Sequence, residues 1–142
     1  MSLPQRAFTT SWRVRTYELD SNGHVNNAIY LAYAEEVATR HAEALGFGRT
    51  WTLAQGGTWV VRRHAITYLA PATAGDCSEV TTELVSMRGA RGVRRTTMRI
   101  LGESGATTPV ADVETEWVWL RASDMRPTRV PPELVAVFGP LA

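Results

Sequence analysis

The sequence predicts an α+β domain: one long central helix wrapped by a five- to six-stranded antiparallel sheet. Three observations carry the prediction. Only one long stretch, residues 28–45, reads as a helix. The segments after it are rich in β-branched and aromatic residues and are separated by glycine turns. The length, 142 residues, suits one domain with a proper core, so residues 1–142 are expected to form a single unit. A lone helix among hairpin-linked strands buries its apolar side against their sheet.

Residues 1–7 read as a loose leader. From residue 8 to 18, Trp12, Val14 and Thr16 alternate with Arg13, Arg15 and Tyr17, the pattern of a half-buried strand. The stretch Asp20-Ser21-Asn22-Gly23-His24-Val25-Asn26-Asn27 follows, with an Asn-Gly turn at its centre. It opens the helix. Asn is a preferred N-cap because its side-chain oxygen accepts from the first unpaired backbone N–H groups. Gly46 is placed to stop the helix. Six alanines among the eighteen helical positions leave a smooth surface, suited to close approach by a sheet on several sides.

Residues 47–57 hold Trp51 and Leu53 between glycines and suit a short helix or an irregular cover. Strands are expected over residues 58–69, 77–87, 93–101 and 110–121, with turns at residues 88–92 and 102–105. The last strand alternates most cleanly, with Ala111, Val113, Thr115, Trp117 and Trp119 against Asp112, Glu114 and Glu116. A tail containing Pro127, Pro131 and Pro132 ends in a short amphipathic piece at residues 133–138. One helix cannot cover so long a sheet, so a homodimer, or a dimer of dimers, is expected to bury the remainder.

Composition excludes several classes. A net charge of +1 lacks the basic excess of a dedicated nucleic-acid binder. No run of eighteen apolar residues suggests a membrane span, and no signal-peptide pattern opens the chain. The single Cys77 cannot form an internal disulfide and fits a cytoplasmic location. It has no neighbouring ligands for zinc and suits a small core position. All fifteen basic residues are arginine, whose planar fork suits phosphate.

The pattern Asp-x-Asn-x-His-Val-Asn-Asn-x-x-Tyr, from Asp20 to Tyr30, resembles the signature of hotdog-fold acyl thioesterases. It is similar both to the 4-hydroxybenzoyl-CoA thioesterase-like group and to the acyl-ACP thioesterases. Tyr68-Leu69-Ala70-Pro71-Ala72 with Gly75-Asp76, and Arg126-Pro127-Thr128-Arg129-Val130-Pro131, resemble two further segments of that family. The resemblance covers nearly the whole chain. It implies a hotdog fold, dimers whose sheets join, and active sites at the dimer interface. It also implies hydrolysis of an acyl-CoA or acyl-ACP thioester to carboxylic acid and thiol, without metal or redox cofactor.

That chemistry needs a group to activate water or attack the carbonyl, and a donor for the developing oxyanion. Asp20 suits the first role, as general base or as nucleophile through a mixed anhydride. Backbone N–H groups around Asn26 to Ala28, at the positive end of the helix dipole, suit the second. In the family, the positions of Asp20 and Asn27 fill these roles. Resemblance to the acyl-ACP branch adds Asn22, to orient water or substrate, and His24, to hold the carboxylate or share its proton. Tyr30 is expected to touch substrate. Asp20 and Asn22 also suit a turn, and Asn26 and Asn27 suit helix caps.

The plant enzymes carry a Glu-Cys pair where Pro71 and Ala72 stand here, so a mechanism using that glutamate cannot operate in this chain. Glu35 and Glu36 on the helix are possible substitutes, although Glu36 also suits an i, i+4 pair with Arg40. Arg88, Arg91, Arg94 and Arg95 crowd one hairpin, where a CoA phosphate or an acidic carrier protein could dock. His64 reads as a structural strand residue. Trp59, Trp117, Trp119 and Tyr33 read as core or as the lining of a tunnel. Two alternatives stand beside hydrolysis: an acyl-CoA-binding domain without turnover, and a hotdog hydratase or dehydratase.

Overall fold

A computed structural model describes residues 6–138. The strand β1 (Ala7–Arg13) comes first, then a 3-10 turn (Thr16–Glu18) and the long helix α1 (Ile29–Ala44). A short helix α2 (Arg49–Ala54) leads into β2 (Gly57–Tyr68), β3 (Cys77–Arg88), β4 (Arg91–Leu101) and β5 (Thr107–Arg121). A two-residue strand β6 (Arg126–Pro127) and the helix α3 (Pro132–Val137) complete the order. The strands form one six-stranded sheet in the order β1-β3-β4-β5-β2, all antiparallel, with β6 against β5. The α+β class, the helix and the four long strands fall where the sequence places them.

Two boundaries differ. Up to residue 5 the expected leader lies outside the described residues, and Ala7 already belongs to β1. The first strand stops at Arg13 rather than at residue 18, because Glu18 folds back locally. Its Oε1 accepts from the Arg15 backbone N–H at 2.8 Å, which closes the 3-10 turn. Backbone bonds formed within three residues here displace the ladder that alternation alone implies.

The sheet curls around α1. Tyr30, Tyr33, Ala34 and Val37 of the helix meet Val80, Met98, Ala111 and Val113 of the sheet, all buried. Toward the C-terminal end of α1 a second cluster joins Leu84, Trp119, Val130, Leu134 and Phe138, with Phe47, Trp51 and Trp59 packed against it. Thus α2 and α3 close the part of the sheet that α1 does not reach. At the start of β2, Gly57 sits against the Trp119 indole; an added Cβ would lie 2.0 Å from Cζ2. Gly46 takes φ +86°, the left-handed conformation that ends a helix and that glycine adopts without penalty.

β2 is an edge strand. It pairs with β5 on one side, and no described residue pairs with its other side. Arginine and histidine (Arg62, Arg63, His64) occupy its middle, beside a bulge between Val61 and Arg63.

Candidate active site

The loop from Asp20 to Asn27 is a closed hairpin-like turn held by its own backbone. Asp20 N–H donates to the His24 carbonyl at 2.8 Å, and Gly23 N–H donates to the Asp20 carbonyl at 3.0 Å. Leu19 and Val25 form an isolated antiparallel bridge across its base. Gly23 turns the chain at φ +76°, with open space where a Cβ would stand. Outside the loop, Val25 N–H donates to the Ala72 carbonyl and Asn26 N–H to the Glu18 carbonyl. The Pro71-Ala72 segment thus serves here as a backbone strut for the loop.

Asp20 acts in this turn with one oxygen. Its Oδ1 accepts from the backbone N–H groups of Asn22 at 2.9 Å and His24 at 3.2 Å. Its Oδ2 accepts no hydrogen bond from the described residues. The side chains of Asn22 and His24 are exposed and make no hydrogen bond within the described residues; their backbone amides, not their side chains, hold the carboxylate.

At the helix start the three candidate donors separate cleanly. Asn26 N–H is taken by Glu18, and Ala28 N–H donates to Asn26 Oδ1 at 2.9 Å. Asn27 N–H alone of the three has no acceptor among the described residues. The carbonyl of Asn27 accepts from Tyr68 Oη at 2.8 Å, so the end of β2 clamps the opening of α1. Ala28 occupies the N-cap position without a side-chain cap, and Asn26 caps from two residues earlier.

Tyr30 is in the core. It is 3% exposed, stacks edge-on against Tyr68 and Tyr33, and its hydroxyl meets the Ala72 backbone; burial raises its pKa. Beneath the loop, buried Glu18 accepts from Tyr33 Oη at 2.6 Å and from Arg15 Nη1 at 3.3 Å. Neither Glu18 nor Tyr68 was assigned a role on sequence grounds. Pairing of Glu18 with Arg15 three residues earlier was the available signal.

The two helix glutamates part company. Glu36 pairs with Arg40 at 2.7 Å, as the i, i+4 spacing suggests. Glu35 Oε2 lies 3.5 Å from His64 Nε2, and His64 Nδ1 meets Thr115 Oγ1 at 2.8 Å. His64 thus joins α1 to β2 and β5.

The arginine cluster does not form as a single surface. Arg88 is exposed and has no ion pair among the described residues. Arg91 pairs with Glu116 at 2.7 Å, and Arg95 with Asp112. Arg94 turns inward and is 8% exposed, because β4 alternates and Arg94 is in phase with Thr96 and Met98. Cys77 is half-buried at the first residue of β3 rather than in the core. Trp119 and Tyr33 are buried, while Trp59 and Trp117 line a cavity described below. Among the described residues no group of three or more His, Cys, Asp or Glu could hold a metal ion. No described helix is long and apolar enough to cross a membrane.

Residues 14–138 match the model of the thioesterase-like superfamily. The chain belongs to that superfamily. It is 33% identical over 129 residues to the acyl-CoA thioester hydrolase YbgC of Escherichia coli, covering 89% of this chain and 93% of that protein. It is 31% identical to the chloroplastic acyl-acyl carrier protein thioesterase ATL2 of Arabidopsis thaliana, over 89% of this chain and 65% of that one. The three-dimensional structure of 4-hydroxybenzoyl CoA thioesterase from Pseudomonas sp. strain CBS-3 superposes with a TM-score of 0.85 at 15% identity, over 93% of this chain and 99% of that chain. The last likeness shows the fold, which is the hotdog fold that the Asp20–Tyr30 motif implies. Family membership and near full-length coverage of a thioester hydrolase make this chain an enzyme of the thioesterase class.

Proposed function

We propose that this thioesterase hydrolyses an acyl-CoA or acyl-ACP thioester, with Asp20 as general base or nucleophile and Asn27 N–H as the oxyanion donor. One observation carries the reading. Among the described residues, a single closed loop presents a carboxylate with an uncommitted Oδ2 and, just before the N-cap of α1, a backbone N–H with no acceptor. In the general-base route, water adds to the thioester carbonyl as Asp20 takes its proton; the C–S bond then breaks and the thiol leaves with a proton. In the nucleophilic route, Asp20 displaces the thiol to form a mixed anhydride, which water cleaves.

Asn22 and His24 stand exposed on the same loop, free to orient water or the substrate. Arg88, which has no ion pair among the described residues, is the hairpin cation offered to a CoA phosphate or an acidic carrier protein; Arg91 offers its charge already shared with Glu116. The likeness to ATL2 supports a carrier-protein substrate, and the likeness to YbgC supports CoA. The open edge of β2 supports a homodimer or a dimer of dimers, working in the cytoplasm, that completes the site at the interface.

The test is thiol release from a panel of short, medium, long and aromatic acyl-CoAs, followed by acyl-ACP, comparing wild type with Asp20→Asn. The expected loss in the variant is on the order of 100-fold or more. Acyl-CoA and acyl-ACP that both survive incubation with wild type would leave a binding domain instead. Full activity in Asp20→Asn would move the chemistry to Glu35, the helix carboxylate that faces His64.

A further inference from the structure

A cavity of about 280 Å³ lies between the C-terminal half of α1, α2, α3 and the inner face of the sheet. Its walls are mainly apolar, with Phe47, Trp59, Leu84 and Leu134 among them. The charged side chains in the wall are two arginines, Arg49 and Arg94, with no aspartate or glutamate. Lining begins at Ala38, nine residues along α1 from Ile29, which is roughly 14 Å of helix from the Asp20 loop. No residue of that loop takes part in it.

Arg94 is the unusual group. Its Nη1 donates to His41 Nδ1 at 2.9 Å and to Thr82 Oγ1 at 3.1 Å. A guanidinium only donates, so Nδ1 of His41 is the acceptor. No carboxylate among the described residues lies within ion-pair distance of Arg94, and its Nε and Nη2 donate to none of them. Burial lowers its pKa to about 10, which leaves it cationic at neutral pH. A buried charge without a counter-charge is costly, and the remaining face of its fork matches a carboxylate. In the same wall, the ring of Trp117 carries an indole N–H that is buried without an acceptor among the described residues.

We propose that this cavity binds an apolar monocarboxylate, with the carboxylate on Arg94 and the apolar body against the aromatic and aliphatic walls. Benzene fits an engineered cavity of about 150 Å³. A cavity of about 280 Å³ therefore has room for a ring or a medium-length chain together with its carboxylate. Free carboxylic acids are also what thioester hydrolysis releases, so the ligand class includes the products of this enzyme's own reaction. The site itself does not depend on which residue performs the hydrolysis.

Calorimetric titration of the full chain with octanoate and with octan-1-ol tests the proposal. The two probes share their apolar body, and only the acid can use Arg94. The acid is expected to bind tighter by tenfold to a hundredfold, the range for a charge-assisted hydrogen bond. Arg94→Gln should abolish that preference, and Ala42→Phe, which fills the cavity without changing the arginine, should weaken both probes. Equal affinity of the two probes for wild type, or no binding of octanoate, would overturn the assignment without recourse to any variant. Octanoate binding that survives both substitutions would place the acid elsewhere and overturn it equally.

Discussion

Tyr68 and Asn27 are 41 residues apart in the chain and meet through one hydrogen bond, Tyr68 Oη–H to the Asn27 carbonyl at 2.8 Å. The last residue of β2 thereby fixes the peptide that opens α1, next to the Asn27 N–H, which has no acceptor among the described residues. Tyr68→Phe removes this clamp and keeps the ring contact with Tyr30. A net hydrogen bond is worth about 1 kcal/mol, so a fall in kcat of up to roughly fivefold is expected beside a thermal midpoint lower by no more than a few degrees. Steady-state thiol release beside a melting curve checks it; a large drop in Tm would make Tyr68 a stability residue instead.

Gly23→Ala isolates the backbone of the Asp20 turn. No atom lies within 4 Å of the added Cβ, so the cost comes from φ +76° alone, about 1–2 kcal/mol. The expected result is a Tm lower by a few degrees and an activity loss larger than that destabilisation would explain, because Asp20 accepts from amides on both sides of the glycine.

Gly57→Ala should be worse for folding and indifferent to chemistry. Its Cβ would fall 2.0 Å from the Trp119 ring, in the second core cluster and remote from the Asp20 loop. Overpacking of this kind costs about 1–3 kcal/mol, read as a lower urea midpoint.

Much of this arrangement is legible in the sequence, for reasons that differ by element. Richness in β-formers between glycine turns marked β2 to β5, with clean alternation in the last, and the Asp20–Tyr30 motif marked the loop and the fold together. Strand 1 was drawn too long because alternation cannot see Glu18 bonding back to Arg15. Arg94 was grouped with its neighbours by sequence distance, although the two-residue alternation of β4 puts it on the inner face with Met98. Asn27 was named for its backbone, but only the packing of Glu18 against Asn26 N–H, and of Asn26 against Ala28 N–H, shows why that N–H is the one left over. Such exclusions arise from tertiary contacts and have no local signature.

Alkaline pH should weaken the fold through Tyr33. Burial first, and its hydrogen bond to Glu18 second, raise its pKa above the ordinary 10.0. In the unfolded chain the phenol loses its proton near 10.0, while the folded chain still holds it, so the unfolded state binds fewer protons and stability falls as pH rises. The contribution is intact below about pH 10 and is lost progressively above it. Urea midpoints at pH 8 and pH 10.5 should differ more in wild type than in Tyr33→Phe. An equal shift in both would assign the alkaline loss to other groups.

β2 carries its hydrogen-bonded ladder on one side only, so every second amide along Gly57–Tyr68 points away from β5. Those amides are a built-in gauge of self-association. Where a second copy covers the edge, their deuterium uptake slows with rising protein concentration, while the amides facing β5 exchange at a rate set by the fold and indifferent to dilution. A single strand thus reports the assembly and the stability of the chain separately, residue by residue, in one exchange experiment.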